Sequence, residues 1–357
     1  MRQRCVDDRF PHGKKRFTSA VKAAILKRFL GGKVVYHGLV GHHFAGNVSH
    51  VLKVRVIAET DLRVTEDMAR EKIAEPQARF TLKKDDEERR KWGMFLYGID
   101  ITDPDQVARV FTTCAPDVVI NCAAYTAVDA CETDRERCMA VNATGPELLA
   151  RQCAAHGARM LQLSTDYVFD GNRPAPAFYT EADTPNPLSM YGKSKQAGDE
   201  AVQAHADNHL IIRTAWLYGI GNKNFLKTML RLALADPGRT IRVVNDQHGS
   251  LTWSWRLARQ IERLLDSDLR GIVHATAEGH STWYEGARCF LDAMGVPYAM
   301  EPCTTADYPT PAHRPANSIL ENCRLKEAGI NCMADWRDDV RLFAERYRDR
   351  LLAEARG

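Results

Sequence analysis

From Met94 onward, short continuous apolar runs alternate with amphipathic stretches long enough for helices, and no other feature restricts the fold as strongly. Asp117–Ala124 (Asp-Val-Val-Ile-Asn-Cys-Ala-Ala) lacks a period-two break, which predicts a parallel strand buried on both faces. Helices are predicted over about Thr126–Met139 and Ala143–His156, followed by a strand over Met160–Ser164. A loop rich in Pro and Asn leads to a helix opening near Tyr191, and then to a strand over His209–Thr214. Strands separated by helices of this length are joined by crossover connections, so the predicted class is α/β with a doubly wound parallel sheet.

Composition narrows the function. Lys and Arg number 49 against 46 Asp and Glu, a net charge of +3 that gives no general electrostatic grip on nucleic acid. Every apolar run falls far short of the roughly 20 residues that span a bilayer. The chain is therefore expected to be cytoplasmic, with neither nucleic-acid nor membrane partners. Its ten cysteines include no Cys-x-x-Cys pair, which favours reduced thiols and predicts no metal site.

Four regions are expected. Residues 1–32 form a basic extension, with nine Lys or Arg against Asp7 and Asp8. Residues 33–221 form a dinucleotide-binding domain, interrupted at 63–91 by a run with 17 charged residues among 29, the pattern of a solvated insertion. Residues 222–345 form mainly a substrate lobe with returns to the sheet, and 346–357 a tail.

The chemistry is concentrated at Tyr191-Gly192-Lys193-Ser194-Lys195, together with Ser164-Thr165-Asp166 at the end of an earlier strand. Four positions apart on a helix, Tyr191 and Lys195 share one face. A nearby cation favours the phenolate, so Lys195 is expected to bring Tyr191 down from its ordinary titration near 10. Thr165 could hold a substrate carbonyl against the Tyr191 proton. The set suits acid-assisted carbonyl reduction, a nicotinamide supplying hydride.

With these residues in place, the chain resembles the extended short-chain dehydrogenases/reductases and, among them, the dTDP-4-dehydrorhamnose reductase family. The likeness is carried by Asp100-Ile101-Thr102-Asp103, by Asn121 through Asp129, by Val141-Asn142-Ala143, and by Ser164 through Gly171. It continues through Arg213–Gly219, Asn224-Phe225, Asp246–Gly249 and Arg314–Ser318, so that it covers about residues 94 to 345. The resemblance implies a Rossmann-like sheet with a smaller C-terminal substrate lobe, and a catalytic set of Thr165, Tyr191 and Lys195. Tyr191 would give its proton to a C4 keto oxygen, and Lys195 would also hold the nicotinamide ribose. The resemblance further places Asp100, Ile101, Ala123, Ala124, Tyr125 and Thr126 beside the cofactor. Val128, Asp166, Tyr167 and Trp216 would border the deoxysugar, with Arg314 toward the diphosphate. The implied reaction reduces a dTDP-4-keto-6-deoxy-L-sugar to dTDP-L-rhamnose with NADPH, NADH being the other candidate. A homodimer is implied too; some relatives carry Mg2+ at a dimer contact, but no carboxylate cluster here marks such a site.

The start of the chain departs from the family pattern. The nearest counterpart of the pyrophosphate-binding glycine turn is Gly38-Leu39-Val40-Gly41-His42-His43-Phe44-Ala45-Gly46. Gly38 and Gly41 fit, whereas Phe44 occupies the third glycine position and would push helix and strand apart. Glu59 and Asp61 lean toward NAD, Arg55 and Arg63 toward NADP. Three readings of this region stay open: a divergent cofactor lobe, an insertion beside a working one, or a frame disturbance in the gene. Two alternatives to catalysis follow: a regulatory subunit resembling the beta subunit of methionine adenosyltransferase, and an inactive paralogue with a damaged cofactor turn.

Overall fold

The computed structural model describes residues 73–81, 99–221 and 223–356, together with Val64 and Met68. The chain divides into two compact units, 1–115 and 116–357. In the first, Asp100 accepts hydrogen bonds from the backbone and side chain of Thr102 (2.9 and 2.7 Å) in a turn before the helix Pro104–Cys114. That helix begins where its sequence says it should. Asp103 caps it by accepting from the amides of Asp105 and Gln106, and Pro104 stands at a position that needs no amide proton. It closes at Ala115 in the left-handed region, φ 42°.

The second unit is built on four parallel strands in the order Val118–Asn121, Arg159–Thr165, His209–Thr214, Gly271–His274. The fourth, Gly271–His274, comes from beyond residue 222. Side chains alternate across the central strands. Leu161, Leu210, Ile212 and Val273 pack on one face with Leu257 and Leu264 of the helix Ser254–Leu265 and Leu325 of the short helix Cys323–Glu327. The helices Gly145–His156 and Met190–His205 pack together and against the strand Arg159–Thr165. The sheet is thus doubly wound, as the sequence predicts.

The first strand departs from expectation. Val118 and Ile120 remain 40% and 41% exposed, although their run was predicted to be buried on both faces. This strand is the sheet's edge among the described residues, so it has one strand neighbour, and apolarity alone does not supply cover. Helix prediction just beyond it is right in place but too smooth. The region breaks into Val128–Cys131, Arg135–Met139 and a π-turn at Ala140–Thr144 before the long helix from Gly145.

The C-terminal lobe packs the helices Phe225–Ala235, Trp283–Met294 and Trp336–Arg356 around Leu226, Leu230, Phe290, Trp336 and Phe343. A parallel pair, Thr240–Val244 with Ala299–Cys303, lies against the middle helix. The stretch expected as a tail from 346 is instead the end of the last helix, which buries Leu351.

Candidate active site

The helix Met190–His205 starts at Ser189, whose hydroxyl accepts from the Gly192 amide at 3.1 Å. Gly192 lets the first turn approach the end of the preceding strand. A Cβ there would lie 2.2 Å from the Tyr167 carbonyl oxygen. The close approach places Tyr191, nearly fully buried, against Cys131 and Cys138, with its ring edge-on to Tyr167 at 5.4 Å. Thr165 ends the strand Arg159–Thr165. Its hydroxyl donates to Asp166 Oδ1 at 3.0 Å, accepts from the Tyr167 amide at 3.2 Å, and stands near enough to Tyr191 to favour the phenolate. Thr165, Asp166, Tyr167 and Tyr191 therefore meet at the C-terminal end of the sheet, the end where open α/β sheets bind ligands.

Lys195, one turn along, is buried, and Nζ donates to the Leu163 carbonyl at 2.7 Å. Lys195 does not acidify Tyr191. Burial pushes the phenol well above its ordinary value, the nearby Thr165 hydroxyl opposing and Asp166 and Tyr167 adding to the rise. The expectation of a lowered phenol is thus overturned, because the ammonium is held by a backbone carbonyl and burial dominates. Burial likewise lowers Lys195, offset by Asp199 and Cys122. One further turn along, Asp199 accepts from Ser164 at 2.6 Å and stands 3.8 Å from the Arg213 guanidinium. Tyr191, Lys195 and Asp199 form one face of the helix, and the carboxylate is the counter-charge to two buried cations.

The loop after the edge strand is set by two asparagines. Asn121 accepts from the Ala123 amide at 3.1 Å. Asn142, from the π-turn, accepts from the Tyr125 amide at 2.8 Å while donating to the Tyr125 carbonyl and Ser194 Oγ, both at 3.0 Å. Cys122, Ala123 and Thr126 are exposed, Ala124 and Tyr125 half-buried, and the charge of Lys195 is felt at Cys122. An open loop beside a buried Tyr and Lys has the composition suited to the nicotinamide end of a dinucleotide. Gly38 and Gly41 lie outside the described residues, and Asp100 and Ile101 belong to the first unit.

Val128 packs with Tyr125, Tyr167 and Met190 around Tyr191. Arg314 grips Asp129 with both guanidinium arms (3.0 and 2.8 Å) and also donates to Thr310 and to the Ala312 carbonyl. Its fork is thus engaged by the chain itself. Trp216 packs elsewhere, in the C-terminal lobe, with a left-handed backbone (φ 46°). It stacks on Trp283 at 3.7 Å and 9°, and Trp283 Nε1 donates to Gln247 at 3.0 Å. Sequence reasoning gave Asn142 and Arg213 no role beyond the family likeness and passed over Asp199 and Trp283. Asp199 carried a legible signal, eight residues past Tyr191 on the same helical face. Among the described residues no group of three or more His, Cys, Asp or Glu is placed to hold a metal.

A parallel α/β sheet whose C-terminal edge presents a hydroxyl, a buried phenol and a lysine four residues on defines an extended short-chain dehydrogenase/reductase. Comparison with known proteins narrows the class. Residues 80–349 match the RmlD substrate binding domain family. A dTDP-4-dehydrorhamnose reductase of Streptomyces griseus is 42% identical over 246 residues, 67% of this chain and 80% of that protein. Among solved structures, a Clostridium acetobutylicum dTDP-4-dehydrorhamnose reductase superposes with TM-score 0.67 and 39% identity, over 70% of this chain and 87% of that one. The Bacillus anthracis enzyme, solved in complex with NADP, has TM-score 0.67 and 35% identity over the same shares. The chain belongs to the dTDP-4-dehydrorhamnose reductase family. Residues 9–113 also match the cytidylate kinase-like family, and the two matches overlap over 80–113.

Proposed function

We propose that this chain reduces the C4 keto group of dTDP-4-keto-6-deoxy-L-mannose, giving dTDP-L-rhamnose, with NADPH as reductant. The observation that carries the reading is the meeting of Thr165 and Tyr191 at the sheet's C-terminal end, with Lys195 one turn beyond. A nicotinamide, when bound, supplies hydride to the carbonyl carbon. The chain's own work is to hold the carbonyl oxygen and deliver a proton to it. Thr165 orients that oxygen, and Tyr191 donates the proton as negative charge develops there. A phenol kept neutral by burial suits a proton donor. Lys195, Ala123, Ala124, Tyr125 and Thr126 hold the nicotinamide ribose and its surroundings; Val128, Asp166 and Tyr167 border the deoxysugar from the sheet, and Trp216 would have to reach it from the C-terminal lobe.

Arg314 is proposed for the diphosphate, which would have to draw its fork away from Asp129. Residues 222–345 supply most of the substrate lobe. The reading carries a cytoplasmic location; among the described residues no helix is long and apolar enough to cross a membrane. Gly38 and Gly41 lie inside the kinase-like stretch, and the reading does not rest on them.

The test follows NADPH absorbance with the keto-sugar nucleotide. Tyr191→Phe is expected to lower kcat on the order of a hundredfold or more. Absence of turnover by the unaltered protein, or equal rates in both, rejects the reading.

A further inference from the structure

Asp166 is buried directly after Thr165. Its Oδ1 accepts from Thr165 at 3.0 Å, while Oδ2 is buried without a hydrogen-bond partner, the Ser318 hydroxyl standing near enough to favour the charged form. The same threonine hydroxyl, which also accepts from the Tyr167 amide at 3.2 Å, stands near enough to Tyr191 to favour its phenolate. Three side chains thus form one line of exchangeable protons, and its middle member has a single proton. Thr165 can donate to Asp166 or to Tyr191, but not to both.

We propose that Asp166 is the positioning residue of this proton chain: a proton on its carboxyl turns the Thr165 hydroxyl toward Tyr191 and frees the phenol proton for the substrate oxygen. The ionised carboxylate holds Thr165 to itself, and Tyr191 must then donate to Thr165 instead of to substrate. The inference rests on the reductase reading. As hydride reaches the carbonyl carbon, the Tyr191 O–H breaks and an O–H forms on the substrate oxygen. The phenolate, held by the Thr165 O–H, is reprotonated from solvent when product leaves, and the Asp166 proton stays in place throughout. Proton count is conserved at each transfer.

The titratable groups facing Asp166 are Tyr191 from the helix and Tyr167 from its own turn, while the Asp129–Arg314 pair faces Tyr167. Burial raises the Asp166 carboxyl to about 6, which puts the switch close to neutral pH. Reduction should slow as pH rises through that value.

Asp166→Asn tests this, because its amide N–H can donate to Thr165 permanently, as the protonated acid does. In the wild type kcat/KM for the sugar nucleotide is expected to fall about tenfold per pH unit above about pH 6. In Asp166→Asn the rate should be flat over that range, and Thr165→Val should remove the dependence from the wild-type background. A wild-type decline that persists in Asp166→Asn overturns the inference. Infrared difference spectra give a readout without turnover. The carboxyl C=O band missing from Asp166→Asn, and the phenol C–O stretch missing from Tyr191→Phe, should change with one common midpoint near 6. Separate midpoints, or a band titrating in the ordinary carboxylate range, overturn the inference even in a protein that consumes no NADPH, whereas lack of turnover with a common midpoint rejects only the reductase reading.

Discussion

Residues 116–357 and residues 1–115 differ in what their sequences can be matched to, although the dinucleotide-binding domain expected at 33–221 spans both. In the second unit every motif of the reductase likeness falls on a described element, and the buried carbonyl-reducing set is assembled there. In the first, the same stretch that must hold a dinucleotide's pyrophosphate follows a kinase-like pattern, and only its last part shares the reductase match. The difference teaches that a dehydrogenase signature is modular. On the proposed reading Tyr191 and Lys195 serve the nicotinamide end, while pyrophosphate binding in such folds depends on a separate turn far upstream.

The largest effect expected within the second unit is on stability. Asp199→Ala leaves Lys195 and Arg213 as buried cations without their carboxylate, at a cost of about 3–5 kcal/mol. Hydrogen exchange should place that loss in residues 116–357. Equal loss of protection in the first unit would break the comparison, since the two would then unfold as one.

Next in size is a contrast inside the sheet. Leu210 is fully buried in an interior strand, and Leu210→Ala should cost about 2–5 kcal/mol in urea unfolding. Ile120 lies in the edge strand at 41% exposed, and Ile120→Ala should cost under about 1 kcal/mol. Equal costs would mean that something covers the edge strand in solution.

A smaller effect comes from pH. The folded-state value of Asp166, about 6, lies above its unfolded value near 3.8, so the native protein holds this proton more tightly. The group therefore withdraws stability as pH rises from about 4 to 6, and the penalty is complete above that window. Asp166→Asn should raise stability on the order of 2 kcal/mol at neutral pH and leave it unchanged near pH 4. A gain of equal size at both pH values would place the effect elsewhere than in proton linkage.

Legibility followed the range of each interaction. Tyr191 and Lys195 could be found because four residues make one helical turn, and Thr165 because an apolar run ends at it. Partners fixed by the backbone or by distant chain were invisible. The Leu163 carbonyl that takes Lys195 has no side-chain signal, and Arg314 meets Asp129 across 185 positions. The exposure of Val118 and Ile120 depends on what stands beside their strand, which their own sequence does not encode.

The smallest expected effect is the one that most sharpens the comparison. If Gly38 and Gly41 formed a pyrophosphate turn, a side chain at Gly41 would block the close approach of phosphate to backbone amides, and NADPH affinity would fall tenfold or more. The third position of that turn is already Phe44, and the whole segment lies in the kinase-like stretch. Gly41→Val should therefore leave the NADPH Kd within about twofold (less than about 0.4 kcal/mol) and leave the thermal shift produced by dTDP unchanged. Fluorescence titration with NADPH reads the first, and melting with dTDP reads the second. Loss of NADPH binding with an intact dTDP shift would return the glycine turn to the cofactor site and join the two regions in one function. Loss of both would point to a folding defect, which far-ultraviolet circular dichroism separates from either outcome.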